Sequence, residues 1–367
     1  MNQKHILFII DGLPGGGAEN VTLRLANGFY QAGYQVTLLS LDKKLAYELP
    51  DYINYIVDQD AYRGIFRKLT EISRRAKSLD SVLEQLFIDK GIPELVLSNL
   101  HKTDRIVSRS KKLATCNVWY CIHGIYSQSY LGNKSGFSYW LKKNKIKHVY
   151  KNKKLVCVSN AVKDDLINTI DIHAHQLKTI YNPFNTTEIQ QKALQPNPFS
   201  QQDYILHVGR LHEVKRQDRL IEAFSKANLP CQLIILGEGT PAIKQRLEEQ
   251  IIQLNLTEKV KLAGFISNPL PVIKNAKVVA LSSDSEGLPT VLIEALICGT
   301  PIASTRCPGG VSEIMTDELA NYLSDMNVDS LAEKLRLAYY SPPEILPSSY
   351  SKFELNHILK QYIALIP

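Results

Sequence analysis

Strand-length apolar runs alternate with helical patterns along the chain, and this alternation restricts the possible folds more than any other feature. The first half contains "HILFII", "QVTLLSL", "LVLSN", "VWYCIHG" and "KLVCVS". The second half contains "YILHVGR", "CQLIILGEG", "KVKLAGF", "VVALSS" and "PIAST". Continuous runs of this kind between helices are typical of parallel strands covered on both faces. The two series predict an α/β protein with two doubly wound, Rossmann-like domains.

The boundary between the two series lies in residues 181–204, which are rich in Pro, Asn, Gln and Ser. We predict an N-terminal domain at residues 1–183, a linker at 184–203 and a C-terminal domain at 204–350. A helical stripe in residues 351–367 predicts a C-terminal helix that crosses back to the first domain. Two such domains would face each other across a cleft, with ligands at the carboxyl ends of the strands.

The net charge of +7 permits anionic partners such as nucleotides, phospholipids and nucleic acid, but selects none of them. The six cysteines show neither C-x-x-C nor Cys/His metal-ligand spacing, which is typical of reduced thiols in a cytoplasmic protein. The N-terminal apolar run is too short for a signal peptide, and no stretch approaches the ~18 apolar residues of a membrane span. We therefore predict a cytoplasmic location with at most peripheral membrane contact.

A glycine-rich turn, "DGLPGGGAEN" at residues 11–20, follows the first apolar run. Gly12 and Gly17 have P-loop spacing, but Ala18 and Glu19 stand where that motif needs Lys and Ser or Thr. The dinucleotide pattern G-x-G-x-x-G fails as well. A helix is predicted to begin near Gly17, and its free N–H groups could bind an anion. A tight turn without a ligand explains the motif equally well.

A second candidate site lies in "HVGRLHEVKRQDRLIEAF", residues 207–224. Arg210 and Lys215 flank the predicted start of a helix, just after a strand. Two cations in this position suit a diphosphate. Taken alone, the motif is explained better by basic residues that face solvent.

The third candidate site lies in residues 283–305, where Pro289 is predicted to be the first residue of a helix. Glu286 precedes that helix, and Glu294 lies inside it among apolar residues. A carboxylate in apolar surroundings needs a partner, such as a pair of sugar hydroxyls. The alternative is an acid that favours the helix dipole, together with a solvated glutamate. The turn that approaches the helix, a second candidate anion site, consists of Gly287, Leu288, Pro289 and Thr290.

Seven residues separate Glu286 from Glu294, which matches the E-x7-E motif of retaining glycosyltransferases with the GT-B fold. The chain resembles the bacterial family-4 enzymes that build lipopolysaccharide, capsule and lipid-linked glycans. The resemblance extends over nearly the whole chain. It also rests on the glycine turn, the segment at 207–224, "HGIY" at 123–126, "VSNAVKDDL" at 158–166, "IYNPFN" at 180–185 and "CPGGVSEIM" after the third site.

The resemblance implies a retaining transfer of a hexose or N-acetylhexosamine, with a UDP-sugar as the expected donor and a lipid-linked glycan or oligosaccharide as the acceptor. The implied catalytic residues are His123 at the sugar, Arg210 and Lys215 at the donor diphosphate, and Glu286 at the sugar hydroxyls. The implied substrate-binding residues are Gly15, Gly16 and Gly17 beside the diphosphate, Phe265 and Ile266 at the base, Gly287, Leu288, Pro289 and Thr290 at the sugar, and Glu294 at the ribose.

No cofactor is expected, because the nucleotide-sugar is a substrate, and no strong protein base is needed, because the departing phosphate can accept the acceptor's proton. No metal is expected either. Another transferase class uses an Asp-x-Asp metal site, and "DQD" occurs at Asp58–Asp60. It lies in a polar stretch before a predicted helix rather than after a long strand. We interpret it as a solvated loop.

Two basic segments of the first domain bear on the acceptor. The first carries an apolar helical stripe over residues 65–86, which is predicted to pack in the core, with basic residues on its other faces. The second contains seven lysines between 142 and 154. A solvated basic face would explain both, but contact with an anionic membrane surface is the favoured interpretation. The basic residues around the stripe are Arg63, Arg67, Lys68, Arg74, Arg75 and Lys77. No nucleic-acid partner is expected, since no recognised module accompanies them.

Two rival functions stay open. One is another GT-B enzyme, such as a sugar-nucleotide epimerase, against which the E-x7-E motif and the Arg210/Lys215 pair argue. The other is a non-catalytic subunit that binds a nucleotide-sugar, against which the complete set of implied catalytic residues argues.

Overall fold

The computed structural model describes residues 4–14, 16–46, 48–132 and 134–367, and for Arg67 it describes the backbone alone. The chain divides into two units. The first consists of Met1–Pro183 together with Leu355–Pro367, and the second of Phe184–Glu354.

A parallel sheet of seven strands forms the centre of the first unit. The strand order is β3-β2-β1-β4-β5-β6-β7. All six residues of the first strand are buried, as expected for a central parallel strand covered on both faces. The strands are β1 (His5–Ile10), β2 (Gln35–Ser40), β3 (Asn54–Val57), β4 (Leu95–Asn99), β5 (Val118–Ile122), β6 (Lys154–Cys157) and β7 (Gln176–Thr179).

The helices of the first unit follow the strands in the crossover connections of the sheet. A helix begins at Gly17, as predicted, directly after the glycine turn. The helices are α1 (Gly17–Gln31), α2 (Arg67–Lys90), α3 (His101–Val107), α4 (Gly136–Tyr150) and α5 (Asn160–Asp164), with π-helical turns at Ser127–Leu131 and Asp165–Thr169.

The second unit contains a parallel sheet of six strands in the order β10-β9-β8-β11-β12-β13. The strands are β8 (Tyr204–Val208), β9 (Gln232–Leu236), β10 (Val260–Gly264), β11 (Val278–Leu281), β12 (Ile302–Thr305) and β13 (Leu323–Ser324). The helices are α6 (Thr186–Lys192), α7 (Gln217–Ala227), α8 (Pro241–Gln253), α9 (Leu270–Lys274), α10 (Thr290–Ile297), α11 (Val311–Ile314) and α12 (Val328–Tyr340). Single 3₁₀ turns occur at Glu213–Lys215, Asp317–Tyr322, Pro347–Ser349 and Ser351–Phe353.

The last helix, α13 (Leu355–Ile363), belongs to the first unit although it follows the second in sequence. Its apolar side chains join the core formed by β1 and α1. Gly28 of α1 makes room for this packing, because a Cβ there would lie 3.1 Å from Cδ1 of Leu355.

All ten strands predicted from apolar runs are present, and three short ones were missed: β3, β7 and β13. Residues 184–203, predicted as a linker, instead fold as part of the second unit and contain α6. Asn185 accepts a hydrogen bond from the backbone N–H of Glu188 at 3.2 Å and so caps that helix. The prediction that Pro289 begins a helix is off by one position, since α10 begins at Thr290.

Candidate active site

The strand order of the second sheet reverses between β8 and β11, and such a switch point is where open α/β sheets bind ligands. Lys215 follows β8 in a 3₁₀ turn, and Glu286 follows β11. Because the two strands are neighbours, their carboxyl ends bring these side chains together. Nζ of Lys215 lies 2.6 Å from Oε1 of Glu286.

The Lys215–Glu286 ion pair is shielded from solvent, with 27% and 10% of the two side chains exposed. Oγ of Ser283 donates a second hydrogen bond, at 2.6 Å, to the same carboxylate oxygen. A lysine ammonium has three N–H donors, so its contact with Glu286 leaves it able to bind a phosphate oxygen as well. Glu286 also retains its other oxygen as an acceptor for hydroxyl groups.

Polar side chains hold the turn that carries Lys215. Ser282 shares its hydroxyl proton between the carbonyls of Lys215 and Arg216, at 2.8 and 2.9 Å. Arg219 is buried and donates to the Ser282 carbonyl at 2.9 Å and to Oδ1 of Asp284 at 2.7 Å. Sequence reasoning missed Ser282, Asp284 and Arg219, although polar residues directly after a buried strand were an available signal. They tie the end of β11 to the turn after β8.

Arg210 is exposed at the end of β8, where the sequence predicts a diphosphate contact. Its backbone is held in place, since its carbonyl accepts a hydrogen bond from Nε2 of Gln217 at 2.9 Å. Gly237, with φ of +138°, passes so close that a Cβ there would overlap the carbonyl of Gly209. The backbone before Arg210 is therefore fixed while its guanidinium remains accessible.

A glycine holds the turn that carries Glu286. The backbone N–H of Glu286 donates to the Pro308 carbonyl at 3.0 Å, and that of Gly310 donates to the Gly287 carbonyl at 2.9 Å. Gly309 has φ of +124°, and a Cβ there would overlap the Glu286 carbonyl. The "CPGG" segment thus positions the acid, a function that sequence reasoning did not assign.

The other predicted ligand contacts of the second unit lie on the same edge of the sheet. Gly287, Leu288 and Pro289 are buried, and Thr290 and Glu294 are half-buried in α10. Phe265 is exposed and Ile266 is half-buried, directly after β10.

In the first unit, His123 follows β5 and Asn99 ends the neighbouring β4. Nε2 of His123 lies 2.9 Å from Oδ1 of Asn99. Burial lowers the pKa of the His123 imidazole to about 4, so the ring is neutral at physiological pH. Asn99 was not among the predicted site residues.

The glycine turn receives a structural explanation at Gly16, which precedes α1. A Cβ at Gly16 would overlap Oε2 of Glu19, so the missing side chain makes room for a carboxylate of the chain itself. This acid lies in the first turn of α1, where the helix dipole favours negative charge. Gly17 is the first residue of α1 and is exposed. Gly15 lies outside the described residues, and contact of these glycines with a diphosphate stays a prediction.

Two family models together match most of the chain. The model of "Glycosyltransferase Family 4" matches residues 15–188, and that of "Glycosyl transferases group 1" matches residues 189–354. The two matches follow each other without a gap. The chain belongs to the glycosyltransferases of these two families.

One sequence relative of this transferase acts on a lipid-linked sugar, according to its name. It is the N-acetylgalactosamine-N,N'-diacetylbacillosaminyl-diphospho-undecaprenol 4-alpha-N-acetylgalactosaminyltransferase of Campylobacter jejuni. The two are 27% identical over 373 residues, which cover 98% of this chain and 99% of the relative.

Two solved structures share the fold of the transferase. A glycosyltransferase from Rickettsia africae superposes with a TM-score of 0.79 and 20% identity, over 100% of this chain and 98% of the other. Anabaena Alr3699/HepE, in complex with UDP and glucose, superposes with a TM-score of 0.77 and 18% identity, over 99% of both chains.

The "DQD" carboxylates of the transferase are not solvated, which corrects the sequence interpretation. Asp58 is buried and accepts a hydrogen bond from Ser78 at 2.6 Å. Asp60 binds both terminal nitrogens of Arg74, at 2.6 and 3.1 Å. Both acids therefore hold α2 through side chains in its first half. Among the residues that the structure describes, no group of three or more His, Cys, Asp or Glu side chains is placed to hold a metal ion.

The apolar stripe at residues 65–86 is only partly core, and this corrects a second expectation. Ile65 is 99% exposed and Leu69 is 85% exposed, whereas the stripe is buried at Ala76, Leu79, Leu83 and Leu86. The basic face is smaller than predicted as well. Arg75 is buried and donates to the Leu41 carbonyl, and Arg74 is paired with Asp60.

A buried acid affects the pH dependence of stability. Ser98 and Tyr150 donate to the carboxyl of Asp104, at 2.5 and 2.7 Å. Burial raises the pKa of this carboxyl from 3.8 to about 8, although the two hydrogen bonds act in the opposite direction. The folded transferase therefore keeps a proton at Asp104 that the unfolded chain releases.

We expect the free energy of unfolding of the native chain, relative to that of Asp104→Asn, to fall by ~1–2 kcal/mol between pH 6.5 and 8, because the unfolded state is ionised at Asp104 throughout this window. Four histidines have pKa values that burial lowers from 6.5 to about 4, and the unfolded chain still protonates them in part near pH 6.5. They therefore raise stability over the same window, equally in both proteins: His5, His101, His123 and His207. Urea denaturation of both proteins across this pH range measures the difference, and the free energy of unfolding should rise more steeply with pH for Asp104→Asn than for the native chain. Equal slopes in both proteins would contradict the assignment.

Proposed function

We propose that the protein is a retaining glycosyltransferase that moves a hexose or N-acetylhexosamine from a UDP-sugar to a lipid-linked or surface glycan. The observation that carries the proposal is the shielded Lys215–Glu286 pair at the switch point of the second sheet. In this pair, a cation that can bind the donor diphosphate lies beside an acid that can bind the sugar hydroxyls.

The chemistry requires little else from the protein. Breaking the glycosyl–phosphate bond develops positive charge at the anomeric carbon and negative charge on the diphosphate. Lys215 and Arg210 stabilise the diphosphate, and preorganised charges of this kind are a large source of rate enhancement. The departing phosphate accepts the proton of the acceptor hydroxyl, so the reaction needs no strong protein base. Because Lys215 and Arg210 supply the positive charge at the diphosphate, we expect no requirement for a metal or a cofactor. We assign Glu294 to the ribose and His123 to the transferred sugar.

The comparisons support the donor and acceptor classes. HepE was solved with UDP and glucose and also with UDP-glucose. The Campylobacter relative is named for a diphospho-undecaprenol-linked acceptor. We therefore expect a UDP-sugar donor and an acceptor of the polyprenyl-diphosphate class.

The decisive test combines donor binding with product analysis. Thermal shifts across UDP- and GDP-sugars identify the donor, because a bound donor stabilises the folded state. Transfer or slow hydrolysis of that donor, unchanged by a metal chelator and with retained anomeric configuration by NMR, is the expected result. An inverted product would contradict the retaining mechanism. Donor binding without turnover would favour a non-catalytic subunit, and donor conversion to another sugar nucleotide would favour an epimerase.

We also propose that the first unit contacts an anionic membrane from the cytoplasmic side. Helices α2 and α4 both follow strands of a parallel sheet, so they begin on the edge where His123 lies. The exposed apolar residues at these two starts are Ile65, Phe66, Leu69, Phe137 and Trp140. Exposed or half-buried basic residues accompany them: Arg63, Lys68, Lys142, Lys143 and Lys145. Apolar side chains beside cations suit the interface of an anionic bilayer.

Within the described ranges, no helix combines the length and the apolar character needed to cross a bilayer.

Membrane contact is tested with vesicles. The double variant Ile65→Ser/Leu69→Ser is expected to bind vesicles containing anionic lipid at least ~10-fold more weakly than the native chain, because less apolar area enters the interface. The matched control is Ile88→Ser/Ile92→Ser, which alters two exposed isoleucines at the other end of α2, 74% and 69% exposed. Co-sedimentation at two salt concentrations measures both effects. Equal binding by the two double variants, or no binding by the native chain, would contradict the proposal.

A further inference from the structure

The contact between Asn99 and His123 determines which ring nitrogen carries the proton. Asn99 is buried at the end of β4, and its Nδ2 donates to the carbonyl of Leu97 at 3.2 Å. A flipped amide would place Oδ1 against that carbonyl, and two acceptors repel each other. Oδ1 is therefore the atom 2.9 Å from Nε2 of His123, and it can only accept. Nε2 must be the protonated nitrogen.

The neutral state of the ring gives this contact a chemical consequence. Burial lowers the pKa of His123 to about 4, so above that pH the imidazole carries a single proton. With this proton on Nε2, Nδ1 keeps its lone pair. A ligand then meets a hydrogen-bond acceptor, which suits a sugar hydroxyl that donates.

We propose that Asn99 is a positioning residue that selects the Nε2–H tautomer of His123, so that Nδ1 accepts a hydrogen bond from a hydroxyl of the transferred sugar. The role of Nδ1 toward the sugar rests on the proposed function. The tautomer itself does not, since it follows from the contacts of Asn99 alone.

A second buried histidine provides an internal reference. Nδ1 of His207 lies 3.0 Å from the carbonyl of Ala280, so here Nδ1 must carry the proton. Burial lowers the pKa of His207 to about 4 as well. The two residues therefore have opposite tautomers in one chain.

The tautomer is tested by NMR of the full chain labelled with ¹⁵N-histidine, without donor, at neutral pH. We expect Nε2–H at His123 and Nδ1–H at His207, with the His123 signals assigned by their loss in His123→Gln. An Nδ1–H tautomer at His123 in the native chain would overturn the proposal, regardless of the results for the Asn99 variants.

Two substitutions then separate positioning from a merely structural role. Asn99→Leu removes the acceptor, so His123 should populate both tautomers and kcat should fall about tenfold, the effect of one neutral hydrogen bond, while donor affinity stays within about twofold. Asn99→Asp retains an acceptor oxygen and should keep the Nε2–H tautomer. Mixed tautomers with unchanged kcat in Asn99→Leu, or an unchanged tautomer in that variant, would overturn the proposal.

The same measurements distinguish this inference from the proposed function. Normal sugar transfer with the wrong His123 tautomer would overturn the positioning role alone. The expected tautomer in a native chain that neither transfers nor hydrolyses any donor would overturn the proposed function and, with it, the role of Nδ1 toward the sugar.

Discussion

Replacing Lys215 by alanine is expected to lower kcat by at least ~100-fold while the fold remains intact, because it removes a preorganised charge from the leaving diphosphate. The Lys215 ammonium lies 2.6 Å from Oε1 of Glu286, and the Ser282 hydroxyl donates a hydrogen bond to the backbone carbonyl of Lys215. The Lys215 side chain therefore needs little reorganisation when the glycosyl–phosphate bond breaks. Initial rates with the best donor, together with circular dichroism of the variant, measure the two parts of this expectation.

The control for Lys215→Ala is Lys226→Ala. Lys226 is an exposed lysine of the same unit and also forms an ion pair, 2.5 Å from Asp329. Its removal changes the net charge equally, but an exposed pair contributes little to stability. We expect near-native turnover for this control. Near-native turnover in Lys215→Ala as well would show that the lysine does not stabilise the leaving group.

Replacing Gly309 by alanine is expected to abolish turnover and to lower the free energy of unfolding by ~3 kcal/mol or more. The backbone of Gly309 has φ of +124°, which disfavours any side chain. The added Cβ would also overlap the carbonyl of Glu286, which is backbone and cannot rotate away. The turn that carries Glu286 must therefore move, and the acid moves with it.

Gly299→Ala is the matched control for Gly309→Ala. Gly299 also has a positive φ, +76°, but a Cβ there meets nothing within 4 Å. Gly299→Ala should lower the free energy of unfolding by only ~1–2 kcal/mol, the cost of a side chain in the left-handed conformation, and should leave turnover unchanged. Urea denaturation and initial rates compare the two variants. Equal losses in both would mean that Gly309 does not position the acid.

Hydrophobic runs identified the central strands of both sheets and missed strands at or near their edges. Asn54–Val57 and Gln176–Thr179 pair on one side only and are mostly exposed or half-buried. Leu323–Ser324 has just two residues. A strand at an edge needs less apolar sequence, because one side and part of its faces meet solvent. The three missed strands become visible only through their partners in the sheet, whereas the edge strand β10 was found because its run "KVKLAGF" is longer and more apolar.

Helical periodicity was informative about α2 but could not say which part of its stripe is buried. The same spacing of apolar residues continues from Ile65 to Leu86, yet only the later part packs in the core. Nor could the spacing show that Arg75 is buried against the Leu41 carbonyl. Periodicity defines a face of a helix, whereas burial depends on what the rest of the fold places against that face.

By itself, the sequence determined the α/β class, the doubly wound sheets and the positions of Lys215, Glu286 and His123 after strands, because these depend on local runs and short motifs. Only the tertiary structure decided that Lys215 meets Glu286 and that Asn99 sets the proton of His123. Each pair comes from two strands that are neighbours in the sheet but 24 or more residues apart in the chain. Strand order brings them together, and strand order is a property of how the whole chain packs.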